Sequence, residues 1–151
     1  MHPAPSLSPP PRIIRIVGIL TILAVALNLL LGIQNATTIG IWYNPALPFV
    51  VPTLYLDLAF IVPAVVIGIK TFKGKDTWKA NMIFQIVFLA AHLNNLVAPY
   101  VAHVVQSIAS QSYDFIVFDY SLYAIIASFV VLRLLLRRDV RSYYLGIAKT
   151  H

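Results

Sequence analysis

At 151 residues, 60 % of them hydrophobic and 11 % charged, the chain carries less than half of the roughly 25 % charge of a soluble domain. It also holds several apolar runs of membrane-spanning length, so the expected class is an all-α, polytopic integral membrane protein with short loops and no separate soluble domain. The absence of cysteine excludes disulfides, thiol catalysis and iron–sulfur or zinc–thiolate sites, and the net charge of +6, set beside apolar segments, points to anionic headgroups and not to nucleic acid.

In chain order, residues 1–12 are rich in Pro and Ser and are expected to be disordered. Arg12 and Arg15 then introduce a first span over about 13–33, too long an apolar run for a signal peptide. The segment 34–52 holds turn residues, the aromatic pair Trp42 and Tyr43, and no Lys or Arg, as befits a loop on the outer face. A second span covers about 52–69, with Pro63 expected to bend it. Lys70, Lys73, Lys75 and Lys79 crowd the following turn, where Gly74 permits the reversal and Trp78 marks the interface. A third span covers about 79–103, and after a polar loop a fourth covers about 115–136. Residues 142–151 complete a basic cytoplasmic tail.

Because all eleven Lys and Arg fall in the N-terminus, the central turn or the C-terminal end, the positive-inside rule predicts a four-transmembrane-helix bundle with both termini cytoplasmic. The host membrane would be the plasma membrane in a prokaryote or the endoplasmic reticulum in a eukaryote. The sequon Asn35-Ala36-Thr37 then falls on the outer side, too close to the bilayer to be a convincing glycosylation site.

Projected at 100° per residue, each span shows a polar or small-residue stripe. Span one carries Thr21, Ala24, Asn28, Gly32 and Asn35. Span two carries Thr53, Asp57, Ala64, Gly68 and Thr71. Span three places Trp78, Gln85, His92, Asn95, Pro99 and His103 on one arc, with Asn94 facing away. Span four offers Tyr120, Ala124, Ala127 and Ser128, with Asp119 and Tyr123 at its shoulder. Such stripes serve as packing faces in membrane bundles, and each amide or hydroxyl read singly is accounted for as interhelical glue.

Depth distinguishes a subset. Asn28, Asp57, His92, Asn95 and Asp119 fall at compatible heights from mid-membrane to the outer interface, and ionisable groups there are costly and usually paired or functional. His92 is a candidate partner for Asp57 through a charge-assisted hydrogen bond. The candidate ligand-binding set is therefore Asp57, His92, Asn95, Asn28, Asp119 and Tyr123, either as the polar floor of a lipid-facing pocket or as a structural ion pair. A metal site lacks any His-x-x-x-His or Glu-x-x-His spacing, a haem lacks a second axial histidine inside the bundle, and no phosphate loop or nucleophile elbow is present. No metal, cofactor or catalytic residue is assigned, and the inner half of the bundle is expected to be dry.

The runs Asp57-Leu58-Ala59-Phe60-Ile61-Val62-Pro63, Phe72-Lys73-Gly74 with Trp78, and His92-Leu93-Asn94-Asn95-Leu96-Val97-Ala98-Pro99 resemble the EXPERA family, which includes sigma-2 receptor-like proteins and the emopamil-binding sterol isomerases. The resemblance covers about residues 53–141 and takes in the Ser-Leu-Tyr-Ala start of span four and the Arg-Ser-Tyr-Tyr run at 141–144. It implies a bundle whose outer-half cavity, open to the bilayer, binds sterols or amphiphilic amines beside buried acids. Asp57 matches the family's acid in span two, whereas Asn28 stands where span one would carry its own acid. Leu20 and Ala24 stand where the isomerase branch would carry a histidine, so action on a lipid double bond, with Asp57 and His92 as acid and base, ranks below ligand binding and below an accessory role. Partners are accordingly membrane lipids or a sterol. The alternative is an accessory role beside other membrane subunits or a second copy of the chain.

Overall fold

The computed structural model describes residues 10–38, 53–106 and 118–148, without the side chains at 35, 36, 38, 53, 98–106, 118–120, 147 and 148. Among the described residues there are five helices and no strand: α1 (Arg12–Thr38), α2 (Thr53–Phe72), α3 (Trp78–Gln106), α4 (Phe118–Leu135) and α5 (Arg138–Ala148). The stretches Arg12–Gln34, Leu54–Phe72 and Trp78–Val97 are long and apolar enough to cross a membrane, while the apolar part of α4, Ser121–Leu135, is shorter. Two boundaries differ from the expected ones. α1 and α3 continue to Thr38 and Gln106, so the sequon is helical and Thr37 donates its hydroxyl to the carbonyl of Gln34 at 2.8 Å. α2 runs unbroken through Pro63. Most of the expected outer loop, 39–52, and the end of the second polar loop lie outside the described residues.

Side-chain distribution is inverted relative to a soluble bundle. Leu27, Leu30, Val62, Ile83, Ile126 and Phe129 are exposed on the outer faces, while Thr21, Asn28, Asp57, Asn81, Gln85, His92, Ser121 and Ser128 are buried. A soluble monomer rarely exposes apolar surface on this scale, so the pattern marks a membrane protein, with lipid as the outer solvent. Each of α1–α4 packs on its chain neighbours, and α4 closes back onto α1. The first turns of α1 and α3 meet the last turn of α4, where Ile14, Val17, Val131 and Leu135 share one apolar cluster with Trp78 and Met82 packed against it, and the last turn of α2 joins them through the Thr71–Thr77 hydroxyl bond and the approach of Phe72 to Gly18. That end also carries Arg12, Arg15, Lys70, Lys73, Lys75, Lys79, Arg133, Arg137, Arg138 and Arg141.

The turn between α2 and α3 shows why the sequence reverses there. The amides of Gly74 and Lys75 return to the carbonyls of Thr71 (2.8 Å) and Lys70 (3.0 Å), the Schellman pattern, with Gly74 at φ 71°. That left-handed conformation favours glycine. A Cβ at Gly74 would also meet the Tyr143 hydroxyl at 2.5 Å and Pro10 Cβ at 2.7 Å. α3 then begins after Thr77, whose carbonyl accepts from Asn81 at 2.8 Å. Trp78 Nε1 donates to the Leu135 carbonyl at 2.9 Å, fixing the register of α3 against α4.

α1 and α2 approach each other closely at two glycines. A Cβ on Gly18 would stand 2.6 Å from both the Gly68 carbonyl oxygen and the Phe72 nitrogen, and one on Gly68 would stand 2.7 Å from the Gly18 oxygen and overlap Ile22 Cγ1. Two glycines thus let the backbones touch, as small residues do in membrane bundles. Gly32, on the same face, has ordinary contacts only, with 3.7 Å to Leu54.

α5 gives the expected tail a structure. Val140 and Tyr144 are buried in the cluster at the basic end, while Arg138, Asp139, Arg141, Ser142 and Leu145 face outward. Arg137 precedes the helix, its carbonyl accepting from Arg141 at 2.9 Å, and its guanidinium grips Asp139 twice at 3.1 Å. That hydrogen bonding holds the Asp139 carboxyl below its usual range, and a negative charge in the first turn also suits the helix dipole. The folded pKa lies under the unfolded one, so the contribution is complete above about pH 4 and disappears as pH falls through the lowered value. The protection of α5 amides, with the intrinsic pH dependence of exchange divided out, is therefore expected to fall below about pH 4, and Asp139→Asn should remove that acid dependence. Protection flat with pH in the wild type would count against a stabilising Arg137–Asp139 contact. The pair is half-exposed, so the effect is local and screened by salt.

Candidate functional site

The bundle core is layered. Measured from the basic end at 1.5 Å per residue, Asn28, Asp57 and His92 all lie roughly 20 Å along their helices, more than halfway across a span of about 30 Å. There Asn28 Nδ2 donates to Asp57 Oδ2 at 2.8 Å, and His92 Nε2 stands 3.2 Å from Asp57 Oδ1. Asp57 and His92 have no exposed surface and Asn28 has 1 %. Three helices therefore converge on one carboxylate: α1 through an amide, α3 through an imidazole, and α2 through the acid itself.

The contacts leave hydrogen-bonding capacity over. The His92 Nε2 contact with Asp57 has ion-pair distance but lacks hydrogen-bond alignment, so Asn28 Oδ1, Asp57 Oδ1 and both ring nitrogens of His92 lack hydrogen-bond partners among the described residues. Buried polar atoms are nearly always satisfied in folded proteins, and in a bilayer core no bulk water can serve them. The site can thus accept from, and donate to, a polar group brought into it.

Of the six residues expected here, the structure brings Asn28, Asp57 and His92 into contact and buries Asn95 one turn beyond His92. Tyr123 is 62 % exposed on the outside of α4. The side chain of Asp119 lies outside the described residues. Ser121 was not singled out by the sequence, yet it is fully buried, and its hydroxyl has no partner among the described residues. It lies fourteen residues, about four turns, from Leu135, as His92 lies from Trp78, so the register set by the Trp78–Leu135 bond puts both at one level.

Below this layer an apolar one intervenes. Val25, Ala64, Phe84, Phe88 and Ala124 pack together, with Phe60 against them. Phe88 meets the His92 ring edge-on at 4.4 Å and Phe60 at 5.1 Å, so aromatic edges line the inner side of the imidazole.

The inner half, expected to be dry, carries no buried charge among the described residues but holds a network of neutral polar side chains. Asn81 Nδ2 donates to Thr21 Oγ1 at 3.1 Å and to Thr71 Oγ1 at 3.4 Å, Gln85 Nε2 donates to Asn81 Oδ1 at 3.4 Å, and the Thr71 and Thr77 hydroxyls share a bond of 2.8 Å. All five side chains are buried. These are neutral groups joining α1, α2 and α3, and a count of ionisable residues by depth misses them. Asn81 follows Lys79 so closely that it reads as an interfacial residue. Its position on the arc of Gln85, Phe88 and His92, spaced by four, three and four residues, was the available signal.

Comparison with protein-family models, with curated proteins and with solved structures finds no match.

Proposed function

We propose that this chain is a multi-pass membrane protein of four spans with both termini cytoplasmic, and that the cluster of Asn28, Asp57 and His92 binds the polar head of a lipid-like ligand, of which a sterol is the leading class. The carrying observation is the set of four buried polar atoms on three helices, without hydrogen-bond partners among the described residues, at one level of the outer half. A ligand with one hydroxyl on a rigid apolar body matches that chemistry, since the hydroxyl can both donate to Asp57 and accept from His92 or Ser121, whereas a protonated amine would only donate, to Asp57. The resemblance of residues 53–141 to the EXPERA family supports the same ligand class. The fourth span and the orientation are supported by antiparallel packing that brings the basic residues of α1–α4 to one end, in keeping with the positive-inside rule.

Catalysis is not part of the proposal. Asp57 and His92 stand side by side at 3.2 Å and do not flank a space as separate acid and base. An accessory-subunit role rested on the small-residue faces, and these are largely consumed within the chain, Gly18 against Gly68 and Ala64 and Ala124 in the core.

The test is photo-crosslinking in native membranes with a sterol bearing a photoreactive group. Labelling of the wild-type protein should be competed by excess unlabelled sterol and should fall at least tenfold in Asp57→Asn, which keeps the shape of the site and removes its carboxyl group. Equal labelling of the two proteins would remove Asp57 from the site.

A further inference from the structure

The inner-half network stops short of α4. Thr21 belongs to α1, Thr71 to α2, Thr77 to the turn, and Asn81 and Gln85 to α3. Gln85 is fully buried, uses its amide nitrogen on Asn81, and leaves Oε1 without a partner among the described residues. On α4, Ser128 is likewise fully buried, and its hydroxyl has no partner among the described residues.

Register brings these two groups to the same level. Trp78 Nε1 bonds the Leu135 carbonyl at 2.9 Å and so aligns α3 with α4 at the basic end. Gln85 lies seven residues up α3 from Trp78, and Ser128 lies seven residues up the antiparallel α4 from Leu135, which places both about 10 Å above the bond. Both face the interior where α3 packs on α4. An acceptor oxygen and a hydroxyl, each with spare capacity, thus stand at one level on two packed helices, above a hydrogen-bonded network and beneath the apolar layer of Phe88 and Ala124.

We propose that an ordered water molecule is bound between Gln85 Oε1 and Ser128 Oγ. It donates one proton to Gln85, and exchanges a second hydrogen bond with Ser128. Buried waters characteristically make two to four such bonds to otherwise unsatisfied groups. The water extends the network to α4, so that one hydrogen-bonded layer ties all four long helices together in the inner half. It also brings the polar path from the cytoplasmic turn to the underside of the Phe88 layer, where it ends one apolar layer short of His92. This site is independent of any ligand at Asp57.

The test combines thermal unfolding in detergent with nuclear magnetic resonance of the wild type. Ser128→Ala should lower the melting temperature by about 2–4 °C, and in a Gln85→Leu background the same change should have no further effect, since the shared water is already lost. A melting temperature unchanged or raised by Ser128→Ala would overturn the proposal, because deleting a dry, unsatisfied hydroxyl relieves a cost. Equal effects in the two backgrounds would overturn it as well. If the variants fail to fold, the wild type decides. Overhauser contacts from water to the Gln85 side-chain amide support the site, and their absence in a fully assigned spectrum removes it.

Discussion

His92→Leu is expected to destabilise the protein by about 3–5 kcal/mol, the cost of breaking a buried acid–imidazole pair and leaving one member without its partner. Asp57 has no exposed surface, so its carboxylate would keep only the Asn28 amide at 2.8 Å. Asn28→Leu removes a neutral donor instead and should cost less, about 1–3 kcal/mol. The double variant Asp57→Leu/His92→Leu should recover most of the loss, since replacing both partners by apolar groups of similar size is often close to neutral. It should fold and yet retain no polar head-group site, which separates the stability of the cluster from its use. Unfolding of purified variants in mixed micelles measures all three. A double variant as unstable as His92→Leu would show that the pair is not a closed electrostatic unit.

The second large effect is at the α1–α2 crossing. Gly18→Ala should part the two helices, because the new methyl would stand 2.6 Å from a backbone oxygen and from a backbone nitrogen, 2.6 Å again, neither of which can rotate away. The cost of such overpacking is about 1–3 kcal/mol or more. It should propagate to the site, since α1 carries Asn28 and α2 carries Asp57, three and a half turns or less from the crossing. Gly68→Ala has a side-chain contact with Ile22 that can partly yield, and a 2.7 Å contact with the Gly18 oxygen that cannot. Gly32→Ala is the control, with 3.7 Å to its neighbours, and should be tolerated. Melting temperatures in the order Gly32→Ala, then Gly68→Ala, then Gly18→Ala are the expected result. A Gly18→Ala protein as stable as the wild type would contradict the close approach.

The contact of Asn28, Asp57 and His92 was legible because lipid makes polarity informative. A carboxylate, an imidazole and an amide in apolar runs must turn inward, and a projection at 100° per residue with a count of depth puts the three together. The same reasoning failed where depth or angle was marginal. Asn81 lies near the basic turn, so its burial could not be told from interfacial exposure. Tyr123 sits roughly 120° around α4 from the face set by Ser121, Ala124, Ser128, Val131 and Leu135. The assumed face, built on Tyr120 and Ala127, was rotated toward it. Gly18 was overlooked because a lone glycine in an apolar helix does not reveal what approaches it. Docking of α5 was hidden for another reason, that its two buried residues, Val140 and Tyr144, sit among charges that read as solvated.

The inner network and the outer cluster differ in what they ask of the surroundings. Thr21, Thr71, Thr77 and Asn81 meet one another's needs across three elements. The outer cluster is built around a carboxyl group and leaves four atoms unserved by hydrogen bonds among the described residues. Hydrogen bonds between membrane helices average about 0.6 kcal/mol, too little to account for burying a carboxylate as a simple tie. That imbalance is the physical reason for reading the outer cluster as a binding site and the inner one as scaffold.

The most direct measurement is native mass spectrometry of the chain after gentle extraction from its own membrane. A single copy carrying one sterol or similar lipid, with the adduct lost in Asp57→Asn while the fold is kept, is the predicted result. A chain free of lipid and bound in fixed ratio to another protein would contradict it.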